Sequence, residues 1–135
     1  MQVAQAAAGC DHAAVLHHVA IEVNPDAVPE EIAFWTAIGF TEVAAPEMLG
    51  KGYTWFERQG TQIHLIHTPQ PGVPARGHVA VVPPDLETTV DLLRRLGFEV
   101  RPGRELWGES RAKTTSPAGH TVELMAAPPA GRTST

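Results

Sequence analysis

Gly77-His78-Val79-Ala80-Val81-Val82, in the middle of the chain, restates an earlier stretch, His18-Val19-Ala20-Ile21-Glu22-Val23. The residues after each stretch repeat as well. After His18 come Asn24-Pro25-Asp26, an apolar-periodic segment and Ile38-Gly39-Phe40. After His78 come Pro83-Pro84-Asp85, a second such segment and Leu96-Gly97-Phe98. Thr61-Gln62-Ile63-His64-Leu65-Ile66 is answered in turn by His120-Thr121-Val122-Glu123-Leu124-Met125. His18 and His78, Gly39 and Gly97, and His64 and Glu123 are each about sixty residues apart, and landmarks at so steady an offset mark a duplicated unit. The chain reads as two copies of one module.

Within the first copy, residues 15–23 alternate. Val19, Ile21 and Val23 fall on one face and His18, Ala20 and Glu22 on the other, the pattern of a half-buried strand. Pro29 with Glu30 and Glu31 reads as a helix start, where proline lacks nothing it needs and carboxylates meet the positive end of the dipole. Ile32, Phe34, Trp35 and Ile38 supply the apolar stripe, and Gly39 ends the helix. A short strand over 40–44 and a loop over 46–51 lead to a hairpin, 53–57 with 62–67, around Gln59-Gly60. A two-residue turn sets 58 against 61, so Trp55 faces His64 and Tyr53 faces Ile66, all four on one side of the sheet.

The second copy repeats the order. A strand over 78–82 precedes a helix over about 85–96, with Leu86, Val90, Leu93 and Leu96 at helical spacing and Gly97 as the stop. Strands over 98–101, 111–115 and 121–125 complete it. The expected division is a flexible leader over 1–13, a first module over 14–68, a linker over 69–77, a second module over 78–126 and a disordered tail over 127–135. Each module is βαβββ, with one face of its sheet under its helix and the other open.

Composition sets outer limits. The 135 residues, 43% apolar and 19% charged, suit one ordinary globular domain with a sizeable core. No apolar run is long enough to span a bilayer, so a membrane protein is not expected. The start lacks a basic segment followed by a long apolar one, so no secretory signal is read. Cys10 is the single cysteine and cannot form an internal disulfide; an incidental thiol is its plain reading. Together these lead us to expect a cytoplasmic protein. A net charge of −5 disfavours nucleic acid and anionic membrane as partners and leaves a small molecule.

Four residues on the open faces carry the chemistry. His18 and His78 open the first strand of each copy, and His64 and Glu123 sit within the last. By parity all four lie opposite the helix-packing residues. Modules folded about a common cavity would bring them together, and three imidazoles with one carboxylate suit a divalent ion such as Zn, Ni, Co, Fe or Mn. His17 and His67 have the opposite parity and are expected to pack or to face solvent. His120 is expected to serve the Ala118-Gly119 turn. Glu22 shares the His18 face, two residues deeper, as a possible support for a ligand. Tyr53, Trp55 and Arg111 are candidates for the substrate wall, Arg111 and Lys113 for an anionic group, and Trp107 for a lid or a packed corner.

His18-Val19-Ala20-Ile21-Glu22-Val23, Gly39-Phe40, His78-Val79-Ala80-Val81, Gly97-Phe98 and the run Pro117-Ala118-Gly119-His120-Thr121-Val122-Glu123-Leu124 resemble the vicinal oxygen chelate superfamily. That superfamily includes glyoxalase I, extradiol dioxygenases, fosfomycin-resistance enzymes, methylmalonyl-CoA epimerase and bleomycin-resistance proteins. The resemblance covers about residues 15–126. It implies an α+β fold of two tandem βαβββ modules whose sheets form an open, cup-like barrel around a metal site. It also implies His18, His64, His78 and Glu123 as the metal ligands, and Glu123 as the catalytic carboxylate that moves a proton.

Two departures stand out. The family position matched by His64 is usually a glutamate in glyoxalase I, and Ser116-Pro117-Ala118-Gly119 replaces a turn that is usually Asp-Pro-Asp-Gly or similar. The implied activity is a metal-dependent lyase or isomerase of glyoxalase type acting on adjacent oxygens. The alternatives are an Fe(II) extradiol-type dioxygenase, with His18, His78 and Glu123 as its triad, and a non-catalytic binder of an antibiotic or metabolite. A homodimer is implied as well, with modules either kept within a chain or swapped between chains.

Overall fold

Both copies fold in the order the repeat predicts. The computed structural model describes residues 14–106 and 108–128. The leader, Trp107 and residues 129–135 lie outside the described residues, so the expectations placed on them stay there. The first module runs β1 (His18–Val23), α1 (Val28–Ile38), β2 (Thr41–Val43), β3 (Tyr53–Arg58) and β4 (Thr61–His67). The second runs β5 (Val79–Val81), α2 (Leu86–Arg95), β6 (Val100–Pro102), β7 (Arg111–Thr115) and β8 (Thr121–Met125). Each makes a four-stranded mixed sheet, ordered β1-β4-β3-β2 and β5-β8-β7-β6, and neither sheet closes on itself. The first strand of each module lies parallel to its last, and the remaining neighbours are antiparallel.

The hairpin register is the one the two-residue turn requires, with Arg58 opposite Thr61, Trp55 opposite His64 and Tyr53 opposite Ile66. Gln59 (φ 50°) and Gly60 (φ 83°) both take the positive φ that such a turn needs. The parallel registers are repeat-equivalent too. Ala20 lies opposite His64, and Ala80 opposite Glu123.

The helix-side faces of the two modules are built into one core. Val23, Phe34, Trp35, Ile38, Phe56, Ile63 and Leu65 of the first module join Leu93, Val100, Ala112, Val122 and Leu124 of the second in a single buried cluster. Burial of a large apolar side chain contributes about 1.5–3 kcal/mol, so this shared cluster dominates the stability of both halves. Helix α1 is sunk into it, with Phe34, Trp35 and Ile38 fully buried. Helix α2 is more peripheral and fully buries only Leu93. The expected partner Leu96 is half exposed, because the helix has already ended there and Thr89 turns inward instead.

Three contacts tie the modules further. Phe34 meets Phe98 edge to face at 5.4 Å. Gly39 (φ 120°) lies so close to Pro84 that a Cβ would stand 3.0 Å from its Cδ, which leaves room only for glycine. Glu31, read as a first-turn carboxylate that meets the helix dipole, is fully buried. It accepts the Trp35 indole N–H at 2.9 Å and the backbone N–H of Ala118, from the β7–β8 turn, at 2.7 Å. No helix among the described residues is long and apolar enough to cross a membrane.

Candidate metal centre

The four predicted ligands assemble as two pairs. In the first module His64 projects from β4 on the open face, and β1 brings His18 beside it. The two rings stack with centroids 4.0 Å apart and planes 17° apart. Trp55, opposite His64 across the hairpin, covers the other face of the His64 ring at 3.8 Å with parallel planes. His64 is 7% exposed. Its Nε2 meets the side-chain oxygen of Gln62 at 2.7 Å, and the Gln62 amide nitrogen donates to Glu57 Oε1 at 2.8 Å. Burial, reinforced by the neighbouring His18 and His17 rings, holds the His64 pKa below the usual histidine value, so it is neutral at physiological pH. His18 lies exposed, its Nδ1 at 3.0 Å from Nδ1 of His17.

In the second module the equivalent positions pair a histidine with a carboxylate. His78 Nε2 stands 3.2 Å from Glu123 Oε1, and Arg111 Nε donates to Glu123 Oε2 at 2.6 Å. The Arg111 and Glu123 side chains are 10% and 8% exposed, so the ion pair is almost sealed from water. The Arg111 hydrogen bond and charge outweigh the burial of Glu123 and hold its carboxyl below the usual carboxylate range, with His78 adding to the effect. A guanidinium N–H also reaches the backbone oxygen of Arg104. Arg111, expected on the substrate wall, is therefore engaged by Glu123 and the preceding loop. Strand register shows why: Arg111 is paired with Met125, which makes Glu123 its diagonal neighbour on the same face.

Donor chemistry can be read from His78. Its Nδ1 lies 3.0 Å from the carbonyl oxygen of Arg76, which can only accept, so Nδ1 carries a proton. Nε2 then either carries a second proton or turns a lone pair toward a position it shares with Glu123 Oε1. A backbone carbonyl that orients a histidine in this way is the usual support of a metal-ligating imidazole. The donor types fit a divalent ion. One chain does not supply a full set at one place, since among the described residues no three His, Cys, Asp or Glu side chains are grouped so as to hold a metal ion.

The remaining expectations divide. Tyr53 and Trp55 lie on the open face as predicted, both partly exposed. Glu22 does not support His18; its Oε1 accepts the N–H of Gly72 at 2.7 Å and fastens the linker. His67, on the helix side, is bonded to Thr54 Oγ1 at 2.8 Å. His120 does more than serve its turn, because its Nε2 reaches across to the carbonyl oxygen of Glu22 at 2.7 Å. Gln62 and Glu57 escaped the sequence reading. Both follow from the hairpin register, which sets Glu57 opposite Gln62 two places along from His64.

Comparison with known proteins agrees with this fold. A glyoxalase family protein from Bacillus anthracis superposes with a TM-score of 0.76 at 24% identity, over 85% of this chain and 96% of that one. Lactoylglutathione lyase from Agrobacterium tumefaciens gives 0.65 at 16% identity, over 85% and 95%. A variant of the fosfomycin resistance protein FosX from Listeria monocytogenes, complexed with Mn(II) and 1S,2S-dihydroxypropylphosphonic acid, gives 0.67 at 18% identity, over 86% and 94%. At such identities the likeness is one of fold. Among curated protein sequences none matches this chain significantly. Residues 15–124 match the model of one family, and the chain belongs to it: the Glyoxalase/Bleomycin resistance protein/Dioxygenase superfamily.

Proposed function

We propose that this protein is a metal-dependent lyase or isomerase of glyoxalase type, acting on a small substrate with adjacent oxygens. In this reading its site is shared between two chains, with His18 and His64 from one and His78 and Glu123 from the other. The observation that carries the reading is the equivalence of the two pairs. His64 and Glu123 occupy the same register position of their sheets, opposite Ala20 and Ala80, and each is joined by the histidine that precedes that alanine by two residues. Two half-sites of equivalent geometry, each short of a full set of donors, are complementary when the open face of one module covers that of the other. The helix-side faces cannot serve, because they are already joined in the core. Exposed Val15, Leu16 and Val82, close to the first strands, add apolar surface for pairing.

A divalent ion bound by these residues supplies Lewis-acid stabilisation of an oxyanion or enolate as it forms. The chain's own groups do the rest. Arg111 keeps Glu123 anionic and occupies Oε2, so Oε1 is the oxygen left to hold or move a proton. Trp55 and His64 are locked in a stack and present a rigid wall, with Tyr53 beside it. With histidine at position 64, the donor set holds one carboxylate instead of the two usual in glyoxalase I. The loaded site is thus one unit more positive and favours a more anionic bound ligand.

The test is elemental analysis of protein prepared without chelator, beside His64→Ala and Glu123→Ala variants. Near-stoichiometric metal in the parent and loss in both variants are expected. Co-expressing the two variants then restores metal to about a quarter of the sites, as random pairing of a two-fold dimer gives; a site built within one chain would recover none. Iron as the bound element would redirect assays to ring cleavage under oxygen. A parent that takes up no metal even on reconstitution would sink the enzyme reading in favour of a binder.

A further inference from the structure

We infer that Glu57 and Gln62 are positioning residues that fix the His64 proton on Nε2, so that Nδ1 is the nitrogen through which His64 takes a metal ion. The inference rests on the metal site proposed above, but its first step does not. Ionised Glu57 can only accept hydrogen bonds, so the group of Gln62 that faces it at 2.8 Å is the amide NH2. The amide oxygen of Gln62 must then face His64. An amide oxygen also only accepts, so the imidazole nitrogen 2.7 Å away, Nε2, carries a hydrogen. A neutral imidazole has one ring proton, and the second nitrogen keeps its lone pair.

Access points the same way. Trp55 lies over one face of the ring at 3.8 Å and His18 over the other at 4.0 Å, so a ligand reaches the ring only in its plane. Nε2 is spoken for, and nothing among the described residues is hydrogen-bonded to Nδ1. The arrangement is built into the backbone, because Gln62 and His64 alternate onto one face of β4 and the hairpin sets Glu57 opposite Gln62. His78 in the second module is fixed the other way round, with Nδ1 donating to the Arg76 carbonyl oxygen and Nε2 turned to the site. The two half-sites thus present opposite nitrogens.

Long-range 1H–15N correlation spectra of metal-free protein labelled at histidine test this, with His64 assigned by its loss in His64→Gln. Nε2 is expected at a protonated shift and Nδ1 at an unprotonated one, with zinc moving the Nδ1 resonance. Gln62→Leu should mix the tautomers and weaken zinc binding about 10–100-fold, the usual effect of losing a group that orients a ligand. Gln62→Glu, which still accepts from Nε2, should keep the tautomer. An unprotonated Nε2 in the parent, or a tautomer unchanged by Gln62→Leu, overturns the inference. Zinc that moves His78 and the His64 Nε2 signal, leaving Nδ1 protonated, overturns it while sparing the metal site. Zinc that moves no histidine overturns both.

Discussion

Opposite Ala20 the first module places His64, and opposite Ala80 the second places Glu123. Around His64 the chain has gathered rings: Trp55 on one face, His18 on the other, with a neutral amide at the edge. Around Glu123 it has gathered charge, with the Arg111 guanidinium on one oxygen and His78 at the other. Duplication supplied one geometry twice. The surrounding side chains then made one half a ring stack around a buried imidazole and the other an ion pair, so local chemistry, not backbone, sets what each half offers.

The comparison breaks most sharply at Arg111. Arg111→Met should destabilise the protein by up to about 3–5 kcal/mol, because it leaves the buried Glu123 charge with only His78 beside it. Urea denaturation measures this, and a loss below about 1 kcal/mol would show the pair to be open to solvent. Adding Glu123→Gln to Arg111→Met should recover most of the loss.

The halves should also separate in acid. His64 binds its proton less readily folded than unfolded, so its contribution is complete above the ordinary value of 6.5 and is lost as pH falls from there through the depressed folded pKa. Glu123 is depressed as well, but from 4.5, so its contribution is complete above that value and is lost only as pH falls further. Stability of the metal-free protein measured across pH should therefore decline in two stages. His64→Gln should reduce the first stage, which His67 shares because burial lowers its pKa too, and Glu123→Gln the second, which Asp85 shares through its hydrogen bonds from Thr88. A single decline confined below pH 4.5 would contradict the lowered pKa assigned to His64.

The smallest contrast lies in the helices. Helix α2 starts at Asp85, whose carboxylate accepts from the Thr88 N–H at 2.9 Å and from its hydroxyl at 2.7 Å, whereas α1 has no side-chain cap at Ala27. Asp85→Ala should cost about 1 kcal/mol, as lost caps do, read as a shift in the urea midpoint. Helix α1 dispenses with a cap because the core holds it.

Much of this is legible in the residues for identifiable reasons. Gln59-Gly60 admits only a tight hairpin, and that turn alone sets Trp55 against His64. The strict alternation of Val19, Ile21 and Val23 assigns His18 to the open face without ambiguity. Alternation names the faces of a sheet, however, and not what each face meets. It does not tell that the helix sides of both modules fuse and leave the two donor pairs apart. Glu31 reads only as a first-turn carboxylate, a type that is ordinarily solvated. Here Trp35, one turn on, and the distant Ala118 supply the two donors that let it be buried. His120 and Arg111 mislead in the same way, since their partners lie across a module boundary or on the strand diagonal.

The core common to both modules also bears on how the chain comes apart. A module cut out alone would lose the other module's share of that cluster and leave Phe34 without Phe98, Glu31 without Ala118 and Gly39 without Pro84. The halves are not separable units: the chain should open in one cooperative event, and an intact half should not survive proteolysis of the other.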